Sequence, residues 1–185
     1  MEAAHSDRIR RRRLTAAIIV VAALLVAVIV WLLLIRDDDS GSEAGGTFEQ
    51  KTQAELQEFA GSAGHEVYWA GPQPDARYEL FEADDGRIYV RYLTGDGVVG
   101  DPRPNFLTVG TYPVTDAVGA LRLQSEQPGN RIRDVGDGGV MLVNRAARQH
   151  VYVAYPNSDY QVEVFDPKPN RAEKLVTSGK VVPIG

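Results

Sequence analysis

Histidine side chains are the first candidates for chemistry in this chain, because their ring nitrogens act as bases and metal ligands near neutral pH. Only three occur: His5, His65 and His150. His65 and His150 each precede a predicted strand, so one hypothesis is a shared site in which both act as bases or metal ligands. The alternative is two strand-edge histidines bonded to the backbone. The absence of H-x-x-x-H and H-E-x-x-H spacing favours this alternative.

Serine and carboxylate chemistry has no clear signature either. Neither G-x-S-x-G nor S-x-x-K occurs. Carboxylates are abundant, but no pair stands out, and most aspartates lie in turn sequences, where Asp caps backbone groups. The chain contains no cysteine, which excludes disulfides, thiol catalysis and cysteine metal sites. These motifs therefore leave any catalytic residue unidentified, and we predict no metal site and no cofactor.

The best candidate for a binding segment is the predicted loop of residues 94–105, TGDGVVGDPRPN. Loops of about twelve residues without secondary structure are often functional, and the alternative is a mobile connector. Asp101 and Arg103 alternate with Pro102 and Pro104, which would present both charges stiffly. Asp101 and Arg103 are therefore candidate binding residues.

Three aromatic residues complete the set of candidate binding residues: Trp69, Tyr78 and Tyr89. Tyr and Trp rings form stacking surfaces for sugars or peptides, although they more often pack in cores. The strand pattern places these three off the main apolar face, so we expect them to be exposed.

Charge limits the partners of the region that starts at residue 37. It contains 14 basic and 23 acidic residues, a formal charge of −9. This charge disfavours nucleic acid or anionic lipid as its main partner.

An uncharged segment of 22 residues, 14–35, precedes that region, and fifteen of its residues are Leu, Ile or Val. As a helix it would be about 33 Å long, which matches the hydrocarbon core of a bilayer. The sequence therefore predicts a single transmembrane helix from Leu14 to Ile35, with Trp31 at the outer interface.

The flanking charges predict the orientation of this helix. Five arginines lie between residues 8 and 13, whereas three aspartates follow at 37–39. Basic residues stay in the cytoplasm, so we expect a plasma-membrane protein with a cytoplasmic N-terminus and an extracytoplasmic C-terminus. A cleaved signal peptide would have a shorter apolar region and an A-x-A site. No A-x-A occurs between residues 36 and 47, which favours a retained signal anchor.

Four regions follow from these observations. They are a basic cytoplasmic tail (1–13), the transmembrane helix (14–35), a flexible Gly/Ser/acidic linker (36–46) and an extracytoplasmic domain (47–185). A domain of this length has enough residues for its own hydrophobic core.

The first half of the predicted domain has one helix and several strands. Thr52 and Glu55 have capping-box spacing and begin a helix that ends near Gly64. Strands are expected at 67–70, 77–83 and 87–93, the last two joined by a two-residue Asp85-Gly86 turn. That turn pairs Phe81 with Val90 on the apolar face.

The second half alternates helices and strands. Strands are expected at 106–112, 131–135, 140–144, 150–155, 160–165 and 181–184, and helices at 116–127 and 169–178. Helices together with mainly antiparallel strands predict an α+β domain. Residues 65–72 and 150–156 are similar, and each precedes a Glu-x-Phe strand. This similarity indicates either two degenerate α-then-β halves or chance.

Several short motifs carry a resemblance to a known group of proteins. They are YWAGP at 68–72, YEL at 78–80, YVRYL at 89–93, GDP at 100–102 and VGTYP at 109–113. With these motifs the chain resembles hypothetical single-pass membrane proteins of actinobacteria over about residues 65–184. The resemblance implies a bacterial plasma membrane and an extracytoplasmic domain, and it supplies no catalytic residue.

These observations favour a non-enzymatic, membrane-anchored domain that binds a protein or a component of the cell envelope. One alternative is an accessory subunit that acts through its transmembrane helix within a membrane complex. Another is a hydrolase that uses carboxylates or the pair His65 and His150.

Overall fold

Antiparallel strands and three short helices form residues 45–185, the part of the chain that the computed structural model describes. The predicted basic tail, the transmembrane helix and all but the last two residues of the linker lie outside the described residues. Within residues 45–185, none of the helices has the length and apolar character needed to cross a bilayer. The predicted α+β class is confirmed for this part of the chain.

Ten strands are present among these residues, and eight of them form one antiparallel sheet in the order β1-β3-β4-β5-β9-β8-β7-β6. The remaining two, β2 and β10, pair with each other in a small separate sheet. The strands are β1 (Gly46–Lys51), β2 (Tyr68–Trp69), β3 (Arg77–Ala83), β4 (Ile88–Leu93), β5 (Thr108–Pro113), β6 (Asn130–Asp134), β7 (Val140–Asn144), β8 (His150–Ala154), β9 (Tyr160–Phe165) and β10 (Val182–Pro183).

The helices are α1 (Gln53–Ser62), α2 (Ala117–Gln124) and α3 (Arg171–Thr177). The predicted capping box begins α1: the Thr52 hydroxyl accepts from the Glu55 amide, and the Glu55 carboxylate accepts from the Thr52 amide at 2.7 Å.

The two faces of the large sheet are covered differently. Alternate residues of a strand point to opposite faces, so each strand contributes to two layers. The first face packs against α1, α3 and the small sheet, and it carries the main hydrophobic core. On the second face, α2 covers the end formed by β7 and β8, where Leu121 packs against Leu142 and Ala154.

The hairpin between β3 and β4 differs from the prediction by one residue. Its loop has three residues, 84–86, and Gly86 adopts a left-handed backbone with φ of 81°. Leu80 therefore lies opposite Val90, and Phe81 lies opposite Tyr89. The predicted pairing of Phe81 with Val90 is wrong, because a one-residue shift moves a side chain to the other face.

One strand and one strand pairing were not expected from the sequence. Strand β1 begins at Gly46, the last residue of the predicted linker, and pairs with β3 along its whole length. The C-terminal strand β10 pairs with β2 and not with the large sheet. The similar segments 65–72 and 150–156 also differ in position, since one contains β2 and the other contains β8, an interior strand of the large sheet.

Candidate functional site

Two of the predicted binding residues belong to the main core. Trp69 is 6% exposed and Tyr78 is 7% exposed, and their ring centroids lie 5.9 Å apart. The expectation that they lie off the apolar face is wrong. Residues of β2 are buried on both sides of the strand, and Tyr78 shares a face with Leu80.

Tyr89 does lie on the second face, as the sequence predicts, but it is buried too. Its ring centroid lies 5.5 Å from that of Tyr112 in an edge-to-face arrangement and 5.8 Å from that of Phe81. Its hydroxyl accepts from the Arg87 guanidinium at 3.4 Å. None of the three aromatic candidates is thus an exposed stacking surface.

The loop of residues 94–105 is fixed to the sheet by a chain of charges. Glu79, fully buried in β3, pairs with Arg91 at 2.6 Å and accepts from the Gly100 amide at 2.5 Å. Arg91 also donates to the backbone carbonyl of Asp101 at 2.6 Å. These bonds tie the loop to β3 and β4, so it is more than a connector.

The predicted pair in this loop, Asp101 and Arg103, is satisfied internally. The Asp101 carboxylate is buried and accepts from the Arg103 guanidinium and from the Arg103 amide. Arg103 also reaches Asp96 at 3.1 Å. The hydrogen bonds from Arg103 hold the pKa of Asp101 well below its usual range.

His150 belongs to a buried polar network on the second face. Its Nδ1 lies 2.7 Å from one oxygen of the Glu163 carboxylate, and the Tyr112 hydroxyl donates to the other. Glu163 is 3% exposed. Burial and the neighbouring Glu163 charge raise the pKa values of Tyr112 and Tyr152.

His65 lies at the opposite end of β8 from His150. Its ring stacks on Tyr160 with centroids 4.4 Å apart, and its Nδ1 is 2.9 Å from the Glu66 carbonyl oxygen. The five residues of β8 separate the two ends by about 15 Å at about 3.3 Å per residue. The two histidines therefore do not form a shared site.

An open groove surrounds His65, and we call it the acidic groove. It encloses about 730 Å³ and lies where the β6–β7 and β8–β9 turns meet the small sheet. Its lining residues are His65, Glu66, Tyr68, Asp137, Tyr155, Pro156, Asn157, Ser158, Asp159, Tyr160, Val181, Val182 and Pro183.

Stacked rings make up the aromatic part of this groove. Tyr68 and Tyr155 are nearly parallel, with centroids 5.7 Å apart and an interplanar angle of 7°. The Tyr68 hydroxyl donates to Glu66 at 2.8 Å. Burial raises the pKa of Tyr68 and of Tyr155, and neighbouring carboxylates add to the shift. Both phenols therefore stay neutral at physiological pH.

Carboxylates supply all the formal charge of the groove lining. Glu66, Asp137 and Asp159 are exposed, and no Lys or Arg is among the lining residues in the described part of the chain. Asp159 is held in place, because its Oδ1 accepts from the Asp116 amide at 3.0 Å. Clefts lined by one sign of charge concentrate ions of the opposite sign.

Within residues 45–185, no group of three or more His, Asp or Glu residues is arranged to hold a metal ion. The carboxylates and ring faces of the groove suit reversible binding of cations.

Comparison with protein-family models, with curated proteins and with solved structures gives no match for this chain.

Sequence reasoning missed most of the groove. Its carboxylates come from three segments that are far apart in the chain, and only the packing of β2 beside the ends of β7 and β8 brings them together. The only local signal for the groove was the turn composition of residues 136–138 and 156–159. In the structure, Asp137 and Asn157 in these turns adopt positive φ.

Proposed function

We propose that the chain is a membrane-anchored, extracytoplasmic binding protein whose acidic groove receives a cationic segment of a partner protein. The anchor rests on the uncharged residues 14–35 and on the arginines that precede them. The partner class rests on one observation: three exposed carboxylates share a groove with tyrosine rings and with no lining Lys or Arg among residues 45–185.

The chemistry of the groove fits Lys or Arg side chains. Carboxylates attract the charged head group, and a tyrosine face adds a cation–π contribution of about 0.5–2 kcal/mol. Val182, 40% exposed, and Pro183 offer an apolar wall for the aliphatic stem of such a side chain. A volume of about 730 Å³ accommodates several side chains, so a peptide segment fits better than a single small ion.

A binding titration tests this proposal. Full-length protein in detergent micelles is titrated with a fluorescent oligolysine peptide and, separately, with an oligoglutamate peptide. We expect the oligolysine peptide to bind, with an affinity that falls as salt rises, because exposed charges are screened. The triple variant Glu66→Gln/Asp137→Asn/Asp159→Asn should bind it about tenfold more weakly or worse.

A matched control separates the groove from the overall negative charge. The variant Glu58→Gln/Glu82→Gln/Glu126→Gln removes the same charge from exposed carboxylates outside the groove. It should retain the affinity of the wild-type protein. Equal losses in the two triple variants, or no oligolysine binding by the wild type, would contradict the proposal.

A further inference from the structure

A second cavity, of about 290 Å³, lies at the opposite end of β8, and we call it the basic pocket. It sits on the first face of the sheet between the edge strand β6, the β7–β8 loop and the start of α3. Its lining residues are Arg131, Arg133, Val143, Asn144, Arg145, Arg148, His150, Val151, Asn170 and Glu173.

Four of these residues are arginines, and they come from two separate elements. Arg131 and Arg133 alternate along β6, which points both to the same face. Arg145 and Arg148 belong to the β7–β8 loop. The pocket thus gathers four of the 14 basic residues that follow residue 37, in a region whose formal charge is −9.

Only part of this positive charge is neutralised. Arg133 pairs with Glu173 at 2.5 Å, and Arg148 donates through Nε to the Asn170 side chain at 2.8 Å. Within residues 45–185, no hydrogen bond or ion pair holds the guanidinium group of Arg131 or Arg145. Among the lining residues in the described range, Glu173 is the only carboxylate, so these residues have an excess of three positive charges.

Backbone hydrogen bonds hold the β7–β8 loop in place. The Arg145 amide donates to Gly129 at 3.1 Å, and the Arg148 carbonyl accepts from the Asn170 amide at 2.9 Å. The Asn144 side chain accepts from the Ala146 amide at 2.7 Å. Because the loop is already ordered, little conformational entropy is lost when a ligand binds.

We infer that the basic pocket binds the phosphate group of a small organic phosphate or of a lipid headgroup. Guanidinium groups bind phosphate oxygens through paired hydrogen bonds, and several can converge on one tetrahedral anion. The volume lies near the lower limit for small-molecule sites, and Val143 and Val151 offer apolar surface to the organic part of the ligand.

Calorimetric titration of the full-length protein tests the inference. The protein is placed in phosphatidylcholine nanodiscs and titrated with glycerol phosphate, inorganic pyrophosphate and acetate. We expect both phosphate probes to bind and acetate to bind far more weakly. The variant Arg131→Gln/Arg145→Gln should weaken phosphate binding about 100-fold, since each lost charged contact corresponds to about tenfold in affinity.

A matched control removes two cations elsewhere. Arg122 and Lys180 are exposed and lie outside the pocket, so Arg122→Gln/Lys180→Gln should bind the phosphate probes as the wild type does. Arg145→Lys should retain only part of the wild-type affinity for the phosphate probes, because a lysine cannot form the paired hydrogen bonds of a guanidinium group. Equal effects of the two double variants, or equal affinity for acetate and glycerol phosphate, would overturn the inference.

Nanodiscs that contain phosphatidylglycerol distinguish the two sources of phosphate. If glycerol phosphate binds more weakly in these discs than in phosphatidylcholine discs, a lipid headgroup is supported as the ligand. This difference between the discs should disappear in Arg131→Gln/Arg145→Gln. Unchanged binding supports a soluble organic phosphate. The acidic groove is not altered in any of these variants, so failure here leaves the proposed function to its own test.

Discussion

The loop of residues 94–105 and the basic pocket are both rich in arginine contacts, yet they use their charges in opposite ways. In the loop, Asp101 is buried against Arg103, and Arg91 is paired with Glu79. In the pocket, Arg131 and Arg145 have no partner within the described residues. Removing one partner of a charge pair buried in the fold leaves the other charge uncompensated and destabilises the fold. Charges left unpaired at a cavity are instead available to a ligand.

The acidic groove extends this comparison to the opposite sign of charge. Its three carboxylates lie at one end of β8, and the arginines of the basic pocket lie at the other. Changes in the loop should therefore alter stability, and changes in either cavity should alter binding. The four predictions below test this division.

The largest effect should come from the buried ion pair. Glu79→Gln leaves the Arg91 charge buried without a counter-charge, so we expect the free energy of unfolding to fall by about 3–5 kcal/mol. Urea denaturation measures it. The double variant Glu79→Leu/Arg91→Leu should recover part of the loss, because it leaves no unpaired charge. Full stability of Glu79→Gln would mean that this pair does not anchor the loop.

A smaller loss is expected from Gly97→Ala. A Cβ atom at this position would lie 2.6 Å from the Phe106 ring, which packs under Arg91 and Arg103. We expect about 1–3 kcal/mol of destabilisation from the displaced ring. Gly61→Ala is the control, since no atom of residues 45–185 lies within 4 Å of its Cβ position and it lies in α1. Its thermal midpoint should stay equal or rise.

Asp101→Asn should destabilise the domain in a pH-dependent manner. Because the folded-state pKa of Asp101 is lowered, its charge contributes stability above the unfolded pKa of about 3.9. That contribution is lost as the pH falls through the lowered pKa. The stability gap between wild type and variant, measured by denaturation from pH 7 downward, should narrow below about pH 4. A gap independent of pH would exclude the charge as its cause.

The smallest effect on stability should come from Arg131→Gln/Arg145→Gln. Both side chains are exposed and unpaired within the described residues, so the free energy of unfolding should change by no more than about 0.5 kcal/mol. The same variant is expected to lose phosphate binding. A loss of stability comparable to that of Glu79→Gln would show that these arginines support the fold and would end the comparison.

Local patterns in the sequence predicted most of the elements of the described part. The capping box at Thr52 and Glu55 marks the start of α1, and the bounds of β3, β7 and β9 agree with the sequence pattern. Strand β1 was missed because it consists mainly of Gly and polar residues. It lies at an edge of the sheet, where a strand can form without alternating apolar residues.

The candidate site was much harder to predict, because its residues converge from separate segments. Asp101 and Arg103 are conspicuous in the sequence, but they are two residues apart and form an ion pair with each other. Their charges are therefore not free to bind a ligand. Arg131 and Arg145 look ordinary in sequence, and they meet only because β6 pairs with β7 in register. Local periodicity carries no information on residues that are distant in the chain. Which charges are paired and which are unpaired is therefore visible only in the tertiary structure.

Strand β6 is the last strand of the large sheet among residues 45–185, and this position has a consequence for solubility. An unpaired strand edge is a template for aggregation, and charged side chains on that edge oppose it. Arg131 and Arg133 supply such charges on β6. A ligand that neutralises them would remove this protection, so we expect saturated protein to self-associate along β6 more readily than free protein.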